Sequence, residues 1–298
     1  MNKPLDLQIQ VALFQWLGER SAKNGGVFTW KELTTEFVFG GKVITLIGQT
    51  GIWFPKGWAM PVSITTSFKG PYPDRFDKGI LTYSYRGKDP NHRDNKGMRE
   101  AYKTKTPLVY FEASSKGKYA AVWPVYIVAD NPSALSVTAT VVSAPAIAYE
   151  TIEATESPLA REYSKREVEY RIHQPIFRDR VLTAYKSQCT LCGLRHEELL
   201  DAAHILPDKD PDGQPEVSNG LSLCKIHHVS YDQKIIGITS DYQIKVREDI
   251  LEEIDGPMLK YGIQALEGKR LILPKRIEDH PDKAKLERRF EDFKKKAV

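Results

Sequence analysis

The spacing of apolar residues changes rhythm several times along the chain. Residues 7–21, LQIQVALFQWLGERS, place apolar side chains at helical intervals and predict an amphipathic helix. GGVFTWKEL predicts a turn and then a second helix. From Val43 to Phe68 the pattern shortens to that of strands, punctuated by glycine and proline. The runs ILTYSY, PLVYFEA, YAAVWPVYIVA and LSVTATVV predict further strands, and DNKGMREAYKTK between two of them predicts a helix. Residues 43–147 therefore read as an α+β domain around a curved, mostly antiparallel sheet.

The strand pattern stops at 148–165, AYETIEATESPLAREYSK, which is polar and reads as a linker entering a helix. That helix is predicted to continue through EVEYRIHQPIFRDRVLTAYKSQ and to stop just before Cys189. Beyond Ile235, short strands (IGITS, YQIKV, RLILP) alternate with turns, and KAKLERRFEDFKKKA predicts a closing charged helix. The expected organisation is a front domain over 1–150, a linker over 151–165 and a rear domain over 166–298. No internal repeat or low-complexity tract interrupts it.

Composition narrows the class. In 298 residues, 41% hydrophobic and 28% charged content predict a globular protein. No apolar run approaches the roughly 18 residues of a membrane span. The N-terminal MNKPLDLQIQ lacks the apolar core of a signal peptide, so a cytoplasmic location without disulfides is expected. The formal charge of +4 is uneven: residues 1–150 hold 18 Lys and Arg against 12 Asp and Glu, and the remainder 25 against 27. A mildly basic front half suits a polyanion, although such an imbalance is common in domains of this size.

Three cysteines and seven histidines are few, and several crowd together. Cys189 and Cys192 form C-x-x-C. Cys224 and His227 form C-x-x-H, 32 positions after Cys192. A tight turn at each pair aims two side chains at one ion, and two such knuckles complete the closed tetrahedral set of a structural Zn²⁺. A redox pair is the alternative for C-x-x-C alone, but it leaves the second knuckle unexplained.

The second of two adjacent histidines, His228, is then free for other work. Upstream lie His204 in LLDAAHILPD, a polar loop, and Asn219, nine positions before His228. A histidine on a hairpin, an asparagine after a loop and a histidine on a helix, bracketed by zinc knuckles, resemble the HNH, or ββα-metal, nuclease motif. From RIHQPIFRDRVLTAYKSQCTLCG to NGLSLCKIHHVSYD the sequence resembles the HNH domains of modification-dependent restriction enzymes. The resemblance implies that His204 is the general base, that Asn219 fixes the loop behind it, and that His228 binds a catalytic divalent ion, Mg²⁺, Mn²⁺ or similar. A neutral imidazole suits proton abstraction from water, and a divalent ion offsets charge developing on a phosphodiester. Many such domains carry a metal ligand just before the base, where this chain has Ala203. Asp201, on the same strand face, is the candidate ligand instead, with Asp232 as the alternative.

The front stretch, GPYPDRFDKGILTYSYRGKDPNHRDNKGMREAYKTKTPLVYFEASSKGKYAAVWPVYIV, resembles SRA domains and their relatives in the PUA-like superfamily over about a third of the chain. The resemblance implies a pocket for a flipped, modified cytosine. Tyr72 and Tyr83 would stack on the base and Asp74 would accept from its amine, with Tyr85 and Asp77 as alternates. Arg86, Lys88 and Arg93 would meet phosphates or fill the gap in the stack. Strand packing is the competing role for Tyr83 and Tyr85, which share a face. Trp30, Trp53 and Trp58 are aromatic enough to stack on DNA, but core packing is their commoner role.

The expected protein is an α+β modification-dependent endonuclease: an SRA-like reader followed by a zinc-stapled HNH domain. Its expected partner is double-stranded DNA carrying 5-methyl- or 5-hydroxymethylcytosine, and a homodimer would let two sites cut both strands. Rival readings are an HNH nuclease that recognises N6-methyladenine, glucosylated cytosine or a phosphorothioate, and a zinc-containing DNA-binding module without catalysis.

Overall fold

The computed structural model describes residues 7–67, 74–77, 80–141 and 173–296. The chain divides into two compact units, Met1–Ile176 and Phe177–Val298. The predicted linker at 151–165 lies outside the described residues, as do the boundaries drawn at 150 and 166.

The front unit opens with α1 (Leu7–Asn24), β1 (Val27–Thr29) and α2 (Trp30–Thr35). Leu13 and Leu17, one helical turn apart, are fully buried and anchor α1. Thr29 and Glu32 form a reciprocal capping box that fixes the start of α2. Short strands follow: β2 (Val38–Phe39), β3 (Lys42–Val43), β4 (Ile52–Trp53), β5 (Ser63–Thr66), β6 (Arg75–Asp77) and β7 (Ile80–Ser84). Then come α3 (Arg93–Lys103), β8 (Leu108–Ser115), β9 (Lys118–Asn131) and β10 (Ser136–Val141).

Eight of these strands make one curled sheet, in the order β4-β5-β8-β9-β10-β7-β6, with β1 added along β9. Every described pairing in it is antiparallel except β5 with β8. Register shifts at Thr138/Ala139 on β10 and at two points on β8 break the ladder, as bulges that bend a sheet do. β8 shows why both faces are covered. Leu108 and Tyr110 enter one core, with Met98 and Ala101 of α3, while Val109 and Phe111 enter the other, with Leu13 and Leu17 of α1. Alternation of side chains then makes its first four residues apolar in succession.

Between Val43 and Phe68 the sequence pattern overstates the strands. Only Ile52–Trp53 and Ser63–Thr66 pair in the main sheet. Leu46 and Ile47 are instead buried coil, and the Trp53 indole donates to the Thr45 carbonyl at 2.8 Å. Trp53 and Trp58 thus take the core role.

The rear unit begins within a helix, α4 (residues 173–184). It ends earlier than predicted, because Lys186 and Ser187 adopt positive φ. An antiparallel hairpin follows, β11 (Leu200–His204) with β12 (Gly220–Cys224), and then α5 (Lys225–Asp232). The remaining elements are a second hairpin, β13 (Ile236–Ile238) with β14 (Ile244–Val246), then α6 (Glu248–Glu252), α7 (Pro257–Gly262) and α8 (Lys283–Lys294). RLILP is not a strand. Arg270 makes one isolated bridge to Gln243, while Leu271 and Ile272 donate to Tyr242 and Thr190 respectively. Its backbone groups are satisfied by separate partners, so no ladder forms.

Candidate active site and metal centre

The hairpin and α5 carry Asp201, His204, Asn219, Cys224, His227, His228 and Asp232, and Cys189 and Cys192 sit on a turn before β11. Gly220 faces His204 across the hairpin, and a Cβ there would lie 2.4 Å from Val181 and 3.0 Å from the Phe177 ring. Only glycine lets α4 approach β12 so closely. The buried apolar run GLSLC then seats Cys224 at the start of α5, which places His227 in the helix's first turn.

Cys189, Cys192, Cys224 and His227 form one cluster, with all ligand atoms within 4.8 Å of one another. The first knuckle turns at Gly193, whose φ is +74°, and the Gly193 amide donates to the Cys189 carbonyl at 2.8 Å. Thr190 N donates to Ser222 O at 2.8 Å and ties the knuckle to β12. His227 points Nδ1 at the sulfurs of Cys189 (3.4 Å) and Cys224 (3.3 Å), and its Nε2–H donates to the Gly262 carbonyl at 2.7 Å. That outer bond fixes the tautomer a metal-binding imidazole needs. Neighbouring thiols and the imidazole hold the Cys189 thiol far below its ordinary value. Burial opposes protonation of His227, but the bonds to Cys189, Cys224 and Gly262 raise it to about 10. Three sulfurs and one oriented imidazole, mostly buried, have the chemistry of a closed tetrahedral site.

His204 stands at the end of β11. Its ring stacks on Phe177, with centroids 4.1 Å apart and planes 20° from parallel. Its Nε2 is shut off from solvent and has no hydrogen-bond partner. Burial, helped by the charge of His228, lowers the pKa of His204, with Asp208 and Asp232 opposing. The imidazole is therefore neutral at neutral pH, with a lone pair available.

Asn219 is completely buried and spends its amide on the loop that follows His204. Its Oδ1 accepts from Leu206 N at 3.0 Å, and its Nδ2 donates to Leu206 O at 3.0 Å and Gln214 O at 3.1 Å. Its own carbonyl accepts from Ile205 N at 2.9 Å. The two residues after His204 are thereby locked to the start of β12. Arg288 of α8 clamps the middle of the same loop through Asp210 and Asp212, each at 2.7 Å.

His228 lies between two carboxylates. Its Nδ1 is 3.4 Å from Asp201 Oδ2, and its Nε2 is 3.4 Å from Asp232 Oδ2 one turn along α5. The bond to Asp201 and the charges of both aspartates raise the His228 pKa against the effect of burial. Burial works against ionisation of Asp201, yet His228, the Ala202 amide and Arg178 together hold its pKa low. Ala203 is buried in the core and offers no ligand atom. Two residues of α4 join the site without a sequence signal of their own: Phe177 under His204, and Arg178, 3.8 Å from Asp201 and bonded to the Glu197 and Leu200 carbonyls. Their adjacency on a predicted helix upstream of the knuckle was visible, but which strand the helix would meet was not.

In the front unit, Asp74, Tyr83, Tyr85 and Arg86 line one cavity of about 510 Å³. Asp74 Oδ1 accepts from Ser84 N and Oδ2 from Thr66 Oγ1, both at 2.9 Å. Tyr83 and Tyr85 are also buried in the sheet core, and their hydroxyls bond to the Thr65 carbonyl and to Asp130. Burial and the Asp130 carboxylate push the Tyr85 phenol up to about 12. Arg86 pairs with Asp94 at 2.6 Å, Arg93 lies over the Phe54 ring at 5.0 Å, and Lys88 is exposed. Tyr72 lies outside the described residues, and for Asp77 only the backbone, in β6, is described.

Residues 189–239 match the family model described as HNH endonuclease. The rear unit thus contains an HNH endonuclease domain, and the chain is a metal-dependent DNA endonuclease. No curated protein matches the chain. Among solved structures, one match is described as "Modification dependent TagI restriction endonuclease", at 18% identity over 81% of this chain and 84% of that one. Its TM-score of 0.28 fixes neither fold nor activity. No helix among the described residues is long and apolar enough to cross a membrane.

Proposed function

We propose that this chain is a modification-dependent restriction endonuclease. An SRA-like front unit would recognise DNA carrying 5-methyl- or 5-hydroxymethylcytosine by everting the base, and the HNH domain would hydrolyse the phosphodiester. The observation that carries this reading is a ligand-sized cavity in the front unit, bearing the Asp74 carboxylate, in the same chain as an HNH site. A carboxylate is the group that accepts from the exocyclic amine of an everted cytosine. Arg86, Lys88 and Arg93 would meet the phosphate backbone, which positions the protein without reading sequence.

In the HNH domain, His204 takes a proton from the attacking water. Its neutral state suits that role. Asn219 keeps the base in place through the Leu206 main chain. His228 and Asp201 would hold a divalent ion, Mg²⁺ or Mn²⁺, with Asp232 as the alternative partner. The two carboxylates flank opposite nitrogens of one ring. A divalent ion held there would supply charge stabilisation to the phosphoryl group and the leaving group. Cys189, Cys192, Cys224 and His227 would hold Zn²⁺ as a structural staple.

The test is cleavage of one plasmid prepared unmodified, 5-methylated, 5-hydroxymethylated and adenine-methylated, with Mg²⁺ and with Mn²⁺, beside His204→Ala. Cutting of a cytosine-modified form alone, lost in the variant, is the expected result. Equal cutting of every form would overturn the reader, and cutting of the adenine-methylated form alone would replace its substrate. Binding without cutting in any form would favour a non-catalytic module.

A further inference from the structure

Four of the five tryptophans, Trp16, Trp53, Trp58 and Trp123, pack against the front core. Trp30 does not. It is 37% exposed and lines the same cavity as Asp74. Its uncovered part is apolar surface left to solvent, and its backbone is held from two sides. It follows the Thr29–Glu32 capping box, and its own amide donates to the Gly117 carbonyl at 2.9 Å. Gly117 is in the turn between β8 and β9, two residues before Tyr119, which pairs with Phe28 across the β1–β9 ladder. The Trp30 and Tyr119 rings stand 6.2 Å apart at 49° and both border the cavity. Two tilted rings at that distance leave no slot between them, so they make an aromatic wall on one side of the space.

The cavity also has a polar edge. Among the described residues each Asp74 oxygen accepts one hydrogen bond and retains a lone pair. A flat ligand with an exocyclic amine would donate to that carboxylate while covering the aromatic wall. Cytosine and adenine carry such an amine, and thymine does not.

We propose that Trp30 and Tyr119 form the stacking wall for the everted base whose amine Asp74 accepts. This rests on the base-reading function proposed above and places the stacking on residues outside the Tyr72, Tyr83 and Tyr85 set. Stacking on an aromatic wall contributes affinity for any everted base, whereas the Asp74 carboxylate favours a base with an amine.

The experiment measures equilibrium binding of the full chain in a His204→Ala background, loaded with Zn²⁺. The duplexes are identical but for carrying no modification, 5-methylcytosine, 5-hydroxymethylcytosine or N6-methyladenine. Trp30→Ala and Tyr119→Ala are each expected to weaken binding of the preferred duplex about 5- to 150-fold, the range of a lost base–aromatic stack, and to leave the unmodified duplex unchanged. Trp30→Phe retains most of the preference. Unchanged binding of the unmodified duplex also serves as the control that each variant folds. If the parent discriminates and the Trp30 and Tyr119 variants discriminate equally well, this inference fails and the reader stands. If the parent binds all four duplexes alike, the reader fails and the stacking wall with it.

Discussion

The rear site and the front cavity are built by opposite strategies. In the rear unit, one hairpin and the helix after it carry Asp201, His204, Asn219, Cys224, His227, His228 and Asp232 within 32 consecutive residues. The front cavity draws on α2, β4, β5, β7 and β9 and on coil between them, from Trp30 to Tyr119. A site folded from one short segment keeps its geometry wherever the segment folds. A site assembled from distant strands exists only once the whole sheet has closed. The rear unit should therefore respond to loss of its staple as a local event, and the front unit as an independent one.

The largest effect expected from that contrast follows removal of the metal. Cys224→Ser, or extraction of the ion by a chelator, should melt the rear unit, since binding free energies of structural zinc run to about 10–16 kcal/mol. The front unit should keep its own transition in calorimetry. A single transition lost as a whole would show the units to be one cooperative body and would break the comparison.

Next in size is Asn219→Ala. The substitution strands the Leu206 amide and carbonyl inside the loop, at about 1–3 kcal/mol for each unsatisfied group. A fall of several degrees in the rear-unit melting temperature should accompany a larger loss of cleavage, because the backbone beside His204 is released. A stability loss without a change in cleavage would remove Asn219 from the positioning of the base.

A smaller change separates the two carboxylates on His228. Asp201→Asn should weaken Mn²⁺ binding at the catalytic site by about 10- to 100-fold, with cleavage restored at high Mn²⁺. Asp232→Asn should have the lesser effect. The reverse order, read by calorimetric titration, would move the ion to the Nε2 side of the ring.

The smallest expected effect is in the pH profile. Burial and the charge of His228 hold the His204 pKa below the ordinary 6.5, so the base stays neutral until the pH falls beneath that value. The acid limb of cleavage under single-turnover conditions should lie below pH 6.5. Phe177→Leu, which uncovers one face of the ring, should move the limb upward. A limb unmoved by that change would mean that Phe177 does not keep the base dry.

Sequence pattern alone brought out the Cys and His cluster because its members sit at short, chemically demanding spacings. The pairs Cys189/Cys192 and Cys224/His227 need only a tight turn each, and Asn219 and His228 follow the hairpin they serve. The same patterning misjudged Val43–Phe68 and RLILP, where apolar residues mark contact with a core rather than pairing in a ladder. It also passed over Phe177 and Arg178, since nothing local says that α4 will lie across β11 and β12 with Gly220 beneath it. It named Trp30 as able to stack on DNA but could not separate it from Trp53 and Trp58, which pack on the core.

The sequence by itself thus determined the α+β character, the Cys and His cluster and the order of the HNH residues. Each depends on periodicity or on neighbours a few positions apart. Only the tertiary structure decided which helix shields the base, which nitrogen of His228 faces which aspartate, and which aromatic residues border the front cavity. Those facts depend on the packing of elements far apart in the chain, where side-chain volume and the direction of approach choose the partners.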